Sequence, residues 1–277
     1  MTIGVALGGG AVRGLAHIGV LKAFKRHGIP IDFIAGTSIG GAIGGLVAAG
    51  IDIEELESFI LSYPWYRLVD VGVGKGGILS GNRIRDALME LLKQKGMAET
   101  RIEDLPIPFR AVSVDLIKGQ PYIWERGPLI LAIRATTSIP GIFAPVTYQD
   151  MVLVDGGVLN NLPADLIRQA GVERVIAVDV EREHEAREPR NLWEVIYRSY
   201  TIMSVALRRS NLQYADRVLR PNVGHILALD LTKMKESIQA GEEEALLHIE
   251  EIRKWRLQAV PDNRREHLPT ETETARH

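Results

Sequence analysis

The stretch Phe33-Ile34-Ala35-Gly36-Thr37-Ser38-Ile39-Gly40-Gly41 constrains this chain more than any other. It opens as a short apolar strand, passes through Gly-x-Ser-x-Gly and runs into a glycine-rich helix start. Gly36 and Gly40 remove the Cβ atoms that would clash in a tight strand-to-helix turn, so the serine is held at the end of a sheet. The helix that follows points its free N–H groups and positive dipole end back at the hydroxyl. Two readings fit the pentapeptide alone: an activated nucleophile, or a serine that only caps a helix.

The surrounding pattern predicts an α/β domain with a mainly parallel sheet. Ile3 to Leu7 reads as a buried strand, Gly8 to Gly14 as a loop, and Leu15 to His27 as a helix ended by Gly28-Ile29-Pro30. Further helices are expected over 53–61, 82–95, 128–137, from near Pro163, and over 192–211 and 234–258. Strands are expected over 109–114, 120–124, 151–154, 174–179 and 226–229, and a rigid apolar loop over 138–145. Residues 63–81 carry aromatics and then many glycines; they read either as a lid over an apolar substrate or as ordinary surface. Residues 181–190 are almost all charged and read as a solvated connection. Residues 1–260 form one expected domain, followed by a polar tail over 261–277.

A formal net charge of -2 gives no electrostatic case for nucleic acid or for strong attraction to anionic membranes. The absence of cysteine removes disulfides, thiolate catalysis and thiolate metal sites. The N-terminus lacks a basic leader pattern, and a cytoplasmic location is expected. Phe33 to Ile51 is uncharged and approaches a membrane span in length. Its glycine density and the elbow within it predict a strand and a closely packed buried helix instead. The helix over 192–211 places Trp193, Tyr197, Tyr200 and Met203 near one face. Without a strong basic face it reads as a packed core helix rather than a membrane-surface one.

A serine nucleophile needs a base and donors for the oxyanion. Of the seven histidines, His184, His267 and His277 fall in charged or terminal segments, and His27 and His248 on exposed-looking helices. His17 reads as packed in the first helix, which leaves His225 as the triad candidate. Asp115, Asp155 and Asp179 each end an apolar strand, where α/β sites gather. Only Asp155 is followed by two glycines, Gly156 and Gly157, that allow the backbone to turn closely around a site. Asp155 could take the Ser38 proton directly, or simply begin an Asp-Gly turn. Gly8, Gly9 and Gly10 offer successive amides as an anion nest. A dinucleotide fingerprint fits this loop badly, because Arg13 stands where its third glycine belongs and no acid closes the second strand.

Gly8-Gly9-Gly10-Ala11-Val12-Arg13-Gly14, then Gly36-Thr37-Ser38-Ile39-Gly40, then Asp155-Gly156-Gly157 resemble, in that order, the patatin-like phospholipase family in its bacterial, cytosolic-type members. Ser138-Ile139-Pro140-Gly141 and Asn161-x-Pro163 add to the resemblance, which spans Ile3 to Asp179. The resemblance implies a three-layer α/β/α sandwich and a Ser38–Asp155 dyad that works without histidine. It also implies fatty-acyl ester hydrolysis, an oxyanion hole at Gly8 to Gly10 supported by Arg13, and no metal or other cofactor. A lipid substrate and transient contact with a membrane surface would go with that chemistry. The remaining readings are a Ser-His-Asp esterase using His225, a nucleotide-binding domain, and a lipid-binding protein that keeps the fold without turnover.

Overall fold

The structure, a computed structural model, describes residues 1–64, 71–74, 77–181, 188–189 and 192–257. Among these residues the centre is an eight-stranded sheet. β1 (Ile3–Leu7), β2 (Phe33–Thr37), β5 (Phe109–Asp115), β10 (Arg174–Val178) and β11 (Arg217–Leu219) run parallel in the order β11-β10-β1-β2-β5. β6 (Gln120–Trp124), β8 (Val146–Tyr148) and β9 (Met151–Asp155) extend it antiparallel.

Alternation along the strands builds two cores. Ile3, Val5 and Leu7 of β1, with Ile34 and Ile176, face one layer: α1 (Ala16–Arg26), α2 (Ile39–Ala48), α3 (Ile53–Ser62), α5 (Leu129–Thr136) and α8 (Met234–Leu257). Ala6, Ala35, Val175 and Ala177 face the other, against Leu166 and Ile167 of α6 (Ala164–Gln169). The fold is thus the expected three-layer α/β/α sandwich. α8 reaches the larger core because α1 and α8 cross at glycines. A Cβ on Gly19 would stand 1.9 Å from the Ile238 carbonyl, and one on Gly241 1.9 Å from that of Ala16.

Which edge of β5 each neighbour takes positions the site. Ala111 and Val112 pair with β2 and with β6, whereas Ser113 to Asp115 pair with β9 and with β6. β2 and β9 therefore share one edge of β5 and arrive from opposite directions. Their last residues, Thr37 and Asp155, meet end to end.

Several elements depart from expectation. Residues 226–229 form turns rather than a strand, and the last strand is β11. The apolar loop over 138–145 contains β7 (Gly141–Phe143). β7 pairs with β4 (Gly77–Leu79), and β4 with β3 (Val71–Gly74), so the described parts of the segment over 63–81 form a small second sheet. α4 (Asn82–Gln94) follows it. The expected tail over 261–277, like most of the charged connection, lies outside the described residues. Glu181, at the start of that connection, is buried rather than solvated. Among the described residues no helix is long and apolar enough to cross a membrane.

Candidate active site

Ser38 sits between β2 and α2 with φ 55° and ψ −128°, a conformation that L-residues rarely adopt. Backbone strain of this kind costs about 1–3 kcal/mol and persists only where the surroundings over-determine it. Here they do. A Cβ on Gly36 would meet the Gly40 carbonyl at 2.5 Å, and one on Gly40 the Leu7 carbonyl at 2.2 Å. The Ser38 amide donates to Oγ1 of Thr136 at 2.9 Å, and that hydroxyl donates to the Val112 carbonyl. The serine's own side chain makes no capping bond to the helix.

Asp155 is completely buried. Its amide donates to the Ser138 carbonyl at 2.9 Å, which places the strand end. Oδ1 accepts from the Gly157 amide at 2.8 Å and from the Tyr200 hydroxyl at 3.1 Å. A Cβ on Gly157 would stand 2.0 Å from that hydroxyl, and one on Gly156 2.4 Å from the Val112 carbonyl, so both motif glycines are close-approach positions. Burial pushes the Asp155 carboxyl up to about 6, against the Ser38 hydroxyl, the Gly157 amide and Tyr200, which all favour the charged form. Among the described residues no hydrogen bond reaches Oδ2.

The glycine loop divides its labour. The amides of Gly8 and Gly9 already donate, to the carbonyls of Val178 at 3.2 Å and Asn161 at 3.1 Å. The Gly10 amide has no partner among the described residues, and the first-turn amides of α2, beginning with Ile39, are the orphan donors of a helix N-terminus. A Cβ on Gly9 would stand 3.1 Å from the Ser38 Cβ. Arg13 lies to one side, its Nε donating to the Ile226 carbonyl at 2.6 Å.

Sequence reasoning left out the supports. His17 Nε2 lies 2.7 Å from the Gly8 carbonyl, and burial lowers its pKa to about 4, so the ring is neutral and donates. Asn161 Nδ2 donates to Glu181 at 2.9 Å, and Ser204 reaches the same carboxylate at 3.1 Å. Burial raises Glu181 to about 7. Arg208 binds Asp179 and the Glu181 carbonyl. Asp179 is thus committed to an ion pair, and Asp115 caps the turn at Ile117. His225 pairs with Glu236 at the surface, 2.5 Å away. Among the described residues no histidine is bonded to Ser38 or Asp155, and no cluster of three or more histidines or acids is placed to hold a metal ion.

Tyr200 and Ser204 come from α7 (Leu192–Asn211), which departs from its expected role. Tyr200, Thr201, Ser204 and Arg208 turn inward, whereas Met203 is 53% exposed. The helix packs through its polar side.

A serine at a strand-to-helix elbow, facing a buried acid at the end of a three-layer α/β sandwich, defines the class. The chain belongs to the patatin-like phospholipase family, whose model matches residues 5–167. It is 39% identical over 181 residues to an uncharacterized NTE family protein of Mycobacterium tuberculosis, covering 64% of this chain and 49% of that one. It is 35% identical over 184 residues to a lysophospholipase of Candida albicans, covering 64% of this chain and 13% of that one. The chain thus spans half or less of the length of these relatives. VipD from Legionella pneumophila shares the fold, with a TM-score of 0.62 over 90% of this chain and 66% of that one at 14% identity.

Proposed function

We propose that this protein is a serine acyl-ester hydrolase of lipids, with Ser38 as nucleophile and Asp155 as base. The observation that carries the reading is the pair itself: a strained elbow serine opposite a buried carboxylate whose second oxygen lacks a hydrogen-bond partner among the described residues. The lysophospholipase relative supports a fatty-acyl ester as substrate class.

In this mechanism Asp155 Oδ2 takes the Ser38 proton as Oγ attacks the ester carbonyl. The Gly10 amide and the α2 N-terminus receive the tetrahedral oxyanion; loss of one such donor typically costs about 3 kcal/mol. Gly8 and Gly9 act by shape, since their own amides are engaged. The proton on Asp155 passes to the leaving alcohol, and the acyl group remains on Ser38. Water, deprotonated by Asp155, then releases the fatty acid and restores the hydroxyl. Tyr200 and the Gly157 amide hold Oδ1, so the free oxygen stays aimed at the serine. The site at His225–Glu236 offers no comparable route for a Ser-His-Asp triad.

Covalent labelling by a fluorophosphonate, read by intact mass, tests the reading. One phosphonyl adduct is expected on the wild type, none on Ser38→Ala, and a strongly slowed reaction on Asp155→Ala. A folded wild type that takes no adduct would favour a lipid-binding protein without turnover. Loss of turnover in folded His225→Ala would overturn the dyad.

A further inference from the structure

α7 is amphipathic the wrong way round for a helix that packs on a core. Its inward residues are polar and engaged: Tyr200 with Asp155, Ser204 with Glu181, Arg208 with Asp179. Its outward residues Leu192, Val195, Ile196, Ile202, Met203 and Leu207 recur at helical spacing and are 36% to 66% exposed. Isolated exposed apolar side chains need no explanation, but a continuous stripe along one helix does.

Other exposed apolar residues lie at the same end of the sheet. Leu116 and Ile117 form the β5–β6 turn, which projects past the level at which Ser113 pairs with Asp155. Leu227 and Leu229 flank Ala228, whose carbonyl accepts the Val12 amide of the glycine loop. Ser38 itself is only 6% exposed. A lipid ester therefore has to leave its own apolar phase beside this end of the molecule before it reaches the hydroxyl.

We infer that the outward stripe of α7 docks on a lipid bilayer, with the two apolar tips beside it, and so brings the acyl ester to the site that the helix's inner side completes. The inference rests on the lipid hydrolase reading for the identity of the partner. A second copy seated on the stripe would cover the end of the sheet where the ester has to enter, which favours the bilayer. Because Tyr200 lies on the same helix, a movement of α7 on docking also reaches Asp155 directly.

The test separates docking from turnover by using the full chain with Ser38→Ala. It is sedimented with phosphatidylcholine vesicles, with and without phosphatidylglycerol. Ile202→Glu with Met203→Glu is expected to weaken vesicle partitioning at least tenfold. Leu247→Glu, at a 78% exposed position on α8, is expected to leave it unchanged. With Ser38 restored, the α7 pair should keep hydrolysis of a soluble short-chain ester within about twofold and lose hydrolysis of vesicle lipid in proportion to partitioning. Vesicle binding that is absent in the parent chain, or equal in parent and α7 variant, overturns the inference. So does a dimer seen by light scattering that the α7 substitutions dissociate, which would give the stripe to a second copy. These binding outcomes can be read even if Ser38 proves unreactive to fluorophosphonate, the result that would remove the hydrolase reading itself.

Discussion

Thr37 and Asp155 meet end to end along one edge of β5, Thr37 paired with Val112 and Asp155 with the next residue, Ser113. One strand runs parallel to β5 and the other antiparallel, so each delivers its C-terminal residue to the same point. The separation of elbow and acid is then fixed by the sheet rather than by loops. Residues placed by sheet hydrogen bonds are held more rigidly than residues placed by loops.

Tyr200→Phe removes one of the two hydrogen bonds to Asp155 Oδ1 and leaves the ring in place. A hydrogen bond to a charged group contributes roughly 1.5–3 kcal/mol. We expect kcat to fall about tenfold or more with KM little changed. Because that bond favours the charged carboxylate, the acid limb of the pH–rate profile should also move upward. A merely structural tyrosine would leave the limb where it is.

The pH–rate profile of the wild type should rise through about 6 and then level, because Asp155 must be ionised to accept a proton. Burial has brought this carboxyl into the range of an ordinary histidine, so the position of the limb alone does not distinguish a dyad from a triad. Its temperature dependence does: carboxyl ionisation is nearly athermal, whereas imidazole ionisation is strongly endothermic. A strongly temperature-dependent limb would argue for histidine. Glu181 titrates nearby at about 7, and Glu181→Gln should leave the lower limb in place.

The same shift has a stability consequence. The folded-state pKa of Asp155 is raised from 3.8 to about 6, so the folded protein holds a proton that the unfolded chain releases. Stability from this group is fully present below pH 4 and is lost as pH rises through 6. Two pK units correspond to about 3 kcal/mol. Asp155→Asn keeps an acceptor for Gly157 and Tyr200 and removes the buried charge. It should unfold at a higher temperature than wild type at pH 8, with the difference shrinking toward pH 4, while losing activity.

His17→Leu leaves the Gly8 carbonyl without its buried donor, a loss of roughly 1–3 kcal/mol. Thermal unfolding should shift down accordingly. Turnover should fall more than KM changes, because the glycine loop beside Ser38 loses its anchor. The loss should not vary between pH 6 and 9, since the ring is neutral throughout that range.

Gly19→Ala should disrupt the fold outright. Its Cβ would lie 1.9 Å from the Ile238 backbone, and helix backbones cannot yield as a flexible side chain does. Unfolding in urea should show a large loss of stability or no cooperative transition.

The local backbone geometry of the candidate site was legible in the chain. Gly36, Ser38 and Gly40 announce a tight turn because only that backbone needs missing Cβ atoms on both sides of a serine. Asp155-Gly156-Gly157 announces a second close approach. Alternating strands and helices fixed the fold class, since a parallel sheet requires crossover helices. Other features had no local signal. The apolar residues of 192–211 repeat with helical period whichever face is buried, so the pattern could not say that α7 turns its polar side inward. Residues 226–229 resemble a strand in composition, but β11 takes the position beside β10. Glu181 begins a charged run, and only the closure of α7 over Asn161 buries it.

By itself the sequence determined the elbow, the glycine approaches and the layered α/β class, because these depend on backbone sterics and periodicity within short segments. The tertiary structure alone decided that Asp115 caps a turn and Asp179 is held in an ion pair, that among the described residues Gly10 rather than Gly8 or Gly9 keeps a free amide, and that Tyr200 bonds Asp155 Oδ1. Those choices depend on which strands share an edge and which helix closes over them, and such long-range pairings leave no periodic mark on the residues that make them.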